Sequence, residues 1–300
     1  MAVNQTTLLD AETISQAQAL GLHARYIVEG YMSGEHKSPF RGFSVEFTQH
    51  REYVPGDDTR HLDWKVLGRT DRYYVKQYEA QTNYVAHLLV DASESMAYGS
   101  GAITKLAYAR QLAACIAYLV LLQRDAVSMS VFDSVVRNHM PRTGNLASIH
   151  NLMTSLAAMR ATARTDVAAV LHRMAGTTPR RGIVVIISDL FDDEQKILDA
   201  IQHVRFVGHE VIVFHTLDPC EIEFPFQGMV EFEGLEIPAK LLTRPSEIRK
   251  SYRREVQAFL TRVKEICERN RAHYVLANTS QPLHEMLSGY LAFRARTRTK

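Results

Sequence analysis

The chain has 300 residues, 46% hydrophobic and 23% charged, enough to bury the core of one large domain or of two ordinary ones. Its 35 basic and 33 acidic residues leave a formal charge of +2, too small a bias to make nucleic acid or a membrane surface the main partner. Three cysteines, Cys115, Cys220 and Cys267, lie far apart with no C-x-x-C, which disfavours a zinc knuckle or a disulfide framework and suits reduced core thiols.

In chain order, Met1 to Glu12 lacks the basic start and apolar block of a signal peptide. The longest apolar run, Leu112 to Leu122, has 11 residues against the ~20 that cross a bilayer. A cytoplasmic protein without a membrane span is therefore expected. Residues 1–82 are expected to hold an N-terminal helix and a β-containing extension, and residues 83–300 the main domain. Within the extension, Arg51, Arg60, Lys65, Arg69, Arg72 and Lys76 stand among Tyr53, Trp64, Tyr73, Tyr74 and Tyr78. Interleaved bases and aromatics suit single-stranded nucleic acid, but an extra β-segment packed on the main domain accounts for them better. Arg60 and Asp63 would then form an internal ion pair, with Trp64 buried between the layers.

Tyr84-Val-Ala-His-Leu-Leu-Val90 is the nearly unbroken apolar run of a strand buried in a parallel sheet. It ends in Asp91-Ala-Ser-Glu-Ser95, three hard oxygen ligands in alternation at the strand's carboxyl end. Ligands bind in the crevice at such ends, and Mg2+ takes one or two carboxylates while keeping several waters. Helical spacing follows from Ile103 to Arg124, a strand over Ala126 to Phe132, and a helix from Asn145 to Met159. The basic turn Arg160 to Arg164 then leads to Thr165, which opens a helix over Asp166 to Met174; Thr162 is the alternative hydroxyl. Ile183 to Ser188 is a second buried strand, ending in Asp189. A helix over Lys196 to Phe206, a strand over Glu210 to His215, a long helix from Pro245 to Arg271, a strand over His273 to Leu276 and a helix from Pro282 to Phe293 complete the chain. Such alternation predicts an α/β protein with a doubly wound, mostly parallel sheet. Residues 219–240, with period-two alternation on either side of Gly228, predict a β-hairpin insertion, aromatic on one face and acidic on the other.

The D-x-S-x-S run of Asp91, Ser93 and Ser95 resembles the first segment of the metal-ion-dependent adhesion site of von Willebrand factor A domains. That resemblance implies a Rossmann-type fold and an Mg2+ or Mn2+ ion held by Asp91, Ser93, Ser95, Thr165 and Asp189, some of them through water. A partner's Glu or Asp would fill an open position, with Glu94, Arg164, Asp166 and Leu190 at the rim. Phe43 to Asp58, Arg60 to Lys65, Gly68-Arg-Thr70 and Tyr74 to Glu79 closely resemble the hallmark region of the bacterial family called domain of unknown function fifty-eight. Arg51, Tyr53, Pro55, Gly56, Asp57, Arg60, Asp63, Trp64 and Lys65 carry that resemblance, which spans roughly residues 20 to 240. It implies a partner: members are commonly encoded with MoxR-type AAA+ ATPases and are thought to act with them in assembling or activating other proteins.

Enzymatic motifs fit less well. Gly99 to Lys105 resembles a phosphate loop but has Thr104 before the lysine and Leu106 after it. An aspartate nucleophile at Asp91 would want a second aspartate where Ser93 stands. There is no H-E-x-x-H, and the 13 histidines do not cluster at ligand spacing. The expectation is a non-enzymatic, cation-dependent protein-interaction module. A basic module that uses residues 43–82 and the tail Arg294 to Lys300 is the alternative, followed by a metal-dependent phosphatase.

Overall fold

The computed structural model describes residues 45–54, 64–70, 72–80, 85–162, 164–178, 181–236 and 239–297. The expected N-terminal helix and the hallmark residues Pro55, Gly56, Asp57, Arg60 and Asp63 lie outside them. The chain divides into a small unit over residues 40–84 and a main unit from Val85 onward.

In the small unit, β1 (Val45–Glu52) pairs antiparallel with β2 (Tyr74–Ala80), and α1 (Trp64–Thr70) lies between them in sequence. Arg51 belongs to β1 and Lys65 to α1. Tyr53 extends the ladder by donating its N–H to Tyr73 O at 2.9 Å. Trp64 corrects the expectation of burial, because it is 65% exposed. It is the first residue of a seven-residue helix, and half-burial falls instead to Val66 and Leu67.

The main unit is built on a six-stranded sheet. In chain order it comprises β3 (Val85–Asp91), α2 (Lys105–Leu122), β4 (Ala126–Phe132), β5 (Val136–Thr143), α3 (Ile149–Ala158), α4 (Val167–Thr177), β6 (Ile183–Ser188), α5 (Glu194–Phe206) and β7 (Glu210–Leu217). Then come α6 (Pro219–Glu223), β8 (Val230–Glu233), β9 (Lys240–Thr243), α7 (Pro245–Arg269), β10 (His273–Asn278) and α8 (Leu283–Thr297). The sheet order is β10-β7-β6-β3-β4-β5. All neighbours are parallel except β4 and β5, so the structure is mixed α/β with a mostly parallel central sheet. The antiparallel edge strand β5 was not predicted. Its only aliphatic residues are Val136 and Met140, most of its side chains are exposed, and Pro141 is tolerated because this is an edge.

Helices cover both faces of the sheet. α4, α5 and α7 pack on Leu89, Val184, Ile186, Val211 and Val213, whereas α2, flanked by α3 and α8, lies against the other face. The 11-residue apolar run is part of an 18-residue helix, α2, which is long and apolar enough to cross a membrane. Fourteen of its residues are buried in the core, which accounts for its apolar character on nearly every side. Leu112, Ile116 and Leu119 are at most 1% exposed, and each contributes roughly 1.5–3 kcal/mol by leaving water. Cys115 of α2 and Cys267 of α7 are both buried, and burial pushes both thiols up to about 12.

Two further expectations are corrected. The hairpin does not span residues 219–240. Pro219 at the first helical position and the Asp218–Glu221 capping box start a short helix there. The antiparallel ladder is confined to β8 and β9. The C-terminal segment is likewise not a free basic tail at Arg294. This residue lies in α8, is 1% exposed, and binds Glu210 Oε1 at 2.7 Å and Tyr290 Oη at 3.1 Å. Arg294→Met strands a partly buried carboxylate and should cost about 3 kcal/mol in urea unfolding. A loss within about 0.5 kcal/mol, as at an ordinary surface site, would refute the tie.

Candidate functional site

Four adjacent parallel strands each run into an aspartate at the same edge of the sheet: Asp133 after β4, Asp91 at the end of β3, Asp189 after β6 and Asp218 after β7. All four are at most 1% exposed. From β3 the chain passes to β4 on one side and returns as β6 on the other. The order therefore reverses between β3 and β6, where a crevice opens in sheets of this kind. Asp91 and Asp189 stand at that point.

Asp91 Oδ1 accepts the Ser93 N–H at 2.8 Å, and Oδ2 accepts the Thr165 hydroxyl at 3.2 Å and that of Ser188. Ser93 Oγ and Ser95 Oγ share a hydrogen bond at 3.0 Å. Asp91, Ser93, Ser95 and Thr165 are thus brought together, all buried. The loop before α4 decides between the two threonines. The Thr162 N–H bonds Ala92 O at 2.8 Å and its hydroxyl bonds Asp133 Oδ2 at 3.0 Å, while the Asp166 N–H bonds Asp133 O at 3.2 Å. Thr162 is the exposed anchor, and Thr165 is the residue delivered to Asp91. Asp166 then caps α4 by accepting the Ala169 N–H at 2.9 Å. Burial works to raise the Asp133 carboxyl, but hydrogen bonds from Arg137, Val135 N and Thr162 outweigh it and hold the group below its ordinary range.

Asp189 belongs to the crevice but is already engaged. Its Oδ2 accepts from Lys105 Nζ at 2.8 Å, and the same ammonium reaches Glu221 Oε1 at 2.7 Å and lies 4.8 Å from the Phe191 ring centroid. Burial pulls the Lys105 ammonium down, yet Asp189 and Glu221 outweigh it and hold its pKa above the ordinary value. Burial, and next the Asp189 carboxylate, push the Asp91 carboxyl up to about 7. His215 backs the site from β7. Burial lowers its imidazole to about 4, so it is neutral at pH 7. Its Nε2–H must donate to Asp189 O at 2.8 Å, leaving Nδ1 to accept from the Tyr274 hydroxyl at 3.0 Å.

At the expected rim, Glu94 and Arg164 are exposed and Asp166 is half-buried. Leu190 is a correction: it is 1% exposed and belongs to the hydrophobic core. Its φ of +54° turns the chain so that its side chain enters the core, and its N–H is fixed by Ser188 Oγ at 3.0 Å. Phe191, 44% exposed, takes the rim position instead. Sequence reasoning missed Ser188, Lys105 and Glu221. Their only signals were a hydroxyl beside Asp189, a lysine opening an apolar helix, and a glutamate at the third position of a capping box.

Among the described residues no group of three or more His, Cys, Asp or Glu side chains forms a ligand cluster. The donor set is instead two carboxylates among hydroxyls, which suits a hard cation such as Mg2+ or Mn2+. Four of the five expected oxygen ligands converge, and the fifth is shared with Lys105.

The family model for the protein of unknown function DUF58 matches residues 49–261. An uncharacterized protein of Mycobacterium tuberculosis strain H37Rv is 27% identical over 232 residues, covering 76% of this chain and 72% of its own length. An uncharacterized protein of Mycobacterium bovis matches to the same extent, at 27% over 76% and 72% of the two chains. Among solved structures, the conserved hypothetical protein BatB of Bacteroides thetaiotaomicron superposes with a TM-score of 0.48 at 19% identity, over 71% of this chain and 99% of that one. An aerotolerance-related membrane protein of Bacteroides fragilis gives 0.48 at 17% identity, over 71% and 99%.

The raised Asp91 carboxyl sets a pH dependence for the protein in chelator. Because the folded state holds this proton more tightly than the unfolded chain, the stabilisation is complete below about 3.8 and is lost as pH rises through about 7. Asp91→Asn removes the loss. Its melting temperature should climb relative to the wild type between pH 4 and pH 7; a constant difference over that range would count against the environment described.

Proposed function

The chain belongs to the DUF58 family, and on that premise we propose that it is a divalent-cation-dependent protein-interaction module with a von Willebrand factor A-like, doubly wound fold. The observation that carries this reading is the gathering, at the reversal of strand order, of Asp91, which accepts the Thr165 hydroxyl and the Ser93 N–H, with the hydrogen-bonded hydroxyl pair of Ser93 and Ser95. Asp91, Ser93, Ser95, Thr165 and Asp189 would hold Mg2+ or Mn2+, partly through water. When bound, the ion supplies the largest local positive charge, to which a carboxylate of the partner is drawn. The chain's own residues do the rest. Ser188 holds Asp91 in place, His215 holds the Asp189 backbone, and Glu94, Arg164 and Phe191 border the approach.

A non-enzymatic role is supported by what the hydroxyls and the imidazole do. Ser93 pairs with Ser95 rather than with a base, and His215 is committed to a backbone carbonyl and Tyr274. As the partner we propose a MoxR-type AAA+ ATPase in the cytoplasm, as the family resemblance implies. The basic-module alternative loses Arg294, which is committed to Glu210.

Millimolar Mg2+ or Mn2+ should raise the melting temperature of the wild type, by the equivalent of ~2.7 kcal/mol at 100 times the dissociation constant. Asp91→Ala and Thr165→Ala should fold without the ion and lose the shift. In pull-downs at constant salt, chelator should release the ATPase; equal shifts in the two variants, or binding lost only with rising salt, would refute the reading.

A further inference from the structure

We infer that Lys105 is a resident counter-cation that competes with the divalent ion for Asp189, and that Glu221 is the alternative berth onto which the ammonium is drawn when the ion's ligand set closes. This inference rests on the cation site proposed above and concerns its regulation.

Lys105 is 0% exposed, rare for a lysine unless it is paired. The chain is shaped to put it there. Thr104 caps α2 by accepting the Ala107 N–H at 3.2 Å, and the Lys105 N–H closes the preceding loop on Tyr98 O at 2.9 Å. Only glycine fits at position 99, because a Cβ there would lie 2.7 Å from Thr104 Cα and 2.8 Å from Ile103 O. The loop is tied across the sheet edge by the Ser100 N–H, which donates to Asp218 Oδ2 at 2.8 Å.

Three features distinguish this lysine from a structural bridge alone. Its ammonium sits on Asp189 Oδ2 at 2.8 Å, occupying one oxygen of a carboxylate in the expected ligand set. A second carboxylate is already in contact at 2.7 Å, so the charge can move from sharing two anions to resting on one without crossing solvent. Glu221 is fixed for that role, since its Oε2 accepts the Asp218 N–H at 2.8 Å. Across the crevice, by contrast, Asp91 is met among the described residues by the neutral donors Ser93, Thr165 and Ser188.

Competition predicts effects of opposite sign. Lys105→Met/Glu221→Gln frees Asp189 and removes the stranded glutamate, so Mn2+ affinity by calorimetry should rise roughly tenfold, equivalent to ~1.4 kcal/mol. Glu221→Gln alone leaves the ammonium resting on Asp189, so affinity should fall below the wild type. Cys220, half-buried beside Glu221 while Cys115 and Cys267 are buried, reports the shift. Its reaction rate with a thiol reagent should change on adding Mn2+ to the wild type and stay constant in the double variant.

Asp91→Ala separates the two levels. If it abolishes Mn2+ binding while the double variant binds no more tightly than the wild type, the site stands and the role of Lys105 is refuted. If neither the wild type nor the double variant binds Mn2+, both are refuted. Asp91-dependent binding seen only in the double variant would support the competition. A double variant that does not fold leaves the decision to Glu221→Gln, where unchanged or tighter binding overturns the inference.

Discussion

Four carboxylates buried along one edge of a parallel sheet must each be compensated, because an ionised group left unpaired in the interior costs several kcal/mol. The organisation of this edge follows from how that is done. Asp133 takes Arg137 Nε at 2.7 Å together with Val135 N and Thr162. Asp218 takes the amides of Ser100 and Cys220, both at 2.8 Å. Asp189 takes Lys105. Asp91, like Asp218, receives hydrogen bonds but no cation among the described residues, and burial, then the neighbouring Asp189 carboxylate, push its carboxyl up to about 7. A buried carboxylate beside a second one, with no cation of its own among the described residues, therefore stands where the strand order reverses, which is where an external cation has most to offer.

The same compensations build the site's walls. The bonds that satisfy Asp133 also fix the loop that presents Thr165, and those that satisfy Asp218 fix the loop that presents Lys105. Ser188 Oγ receives the Leu190 N–H while donating to Asp91, so the left-handed turn that sends the Leu190 side chain into the core is tied to the Asp91 carboxylate. Packing and chemistry are coupled here through single atoms. A change in either loop is felt at Asp91 without touching it.

How much of this was legible in the sequence follows from the range of each signal. Strand runs such as Ile183 to Ser188 and the residues that end them could be read because buried parallel strands are apolar almost throughout, and Asp91, Ser93 and Ser95 are local. Thr165 was readable as a candidate but not separable from Thr162, since the choice is made by Ala92 and Asp133, more than 25 residues earlier. Lys105 was invisible as a partner of Asp189 because the pair is 84 residues apart; its neighbours suggested only an imperfect phosphate loop. Alternation about Gly228 suggested one long hairpin, but Pro219 and the Asp218 capping box start a helix there instead. Trp64 was judged by its size, which says nothing of which side of a short helix faces out.

Under the proposed reading, the rim explains why specificity should rest on the ion rather than on surface charge. Arg164 borders Thr165 and meets Glu236 only at 3.9 Å, its side chain 70% exposed, so its attraction for an acidic partner is partly offset and screened by salt. Glu94, between the two ligand serines, repels the same partner. Phe191 adds an apolar surface and closes over Phe259, with ring centroids 6.1 Å apart. Opposed rim charges nearly cancel at a distance and offer little long-range steering. Discrimination is thus left to the short-range geometry of a carboxylate on a metal, and the Lys105–Asp189–Glu221 bridge stands at the point where that geometry is controlled.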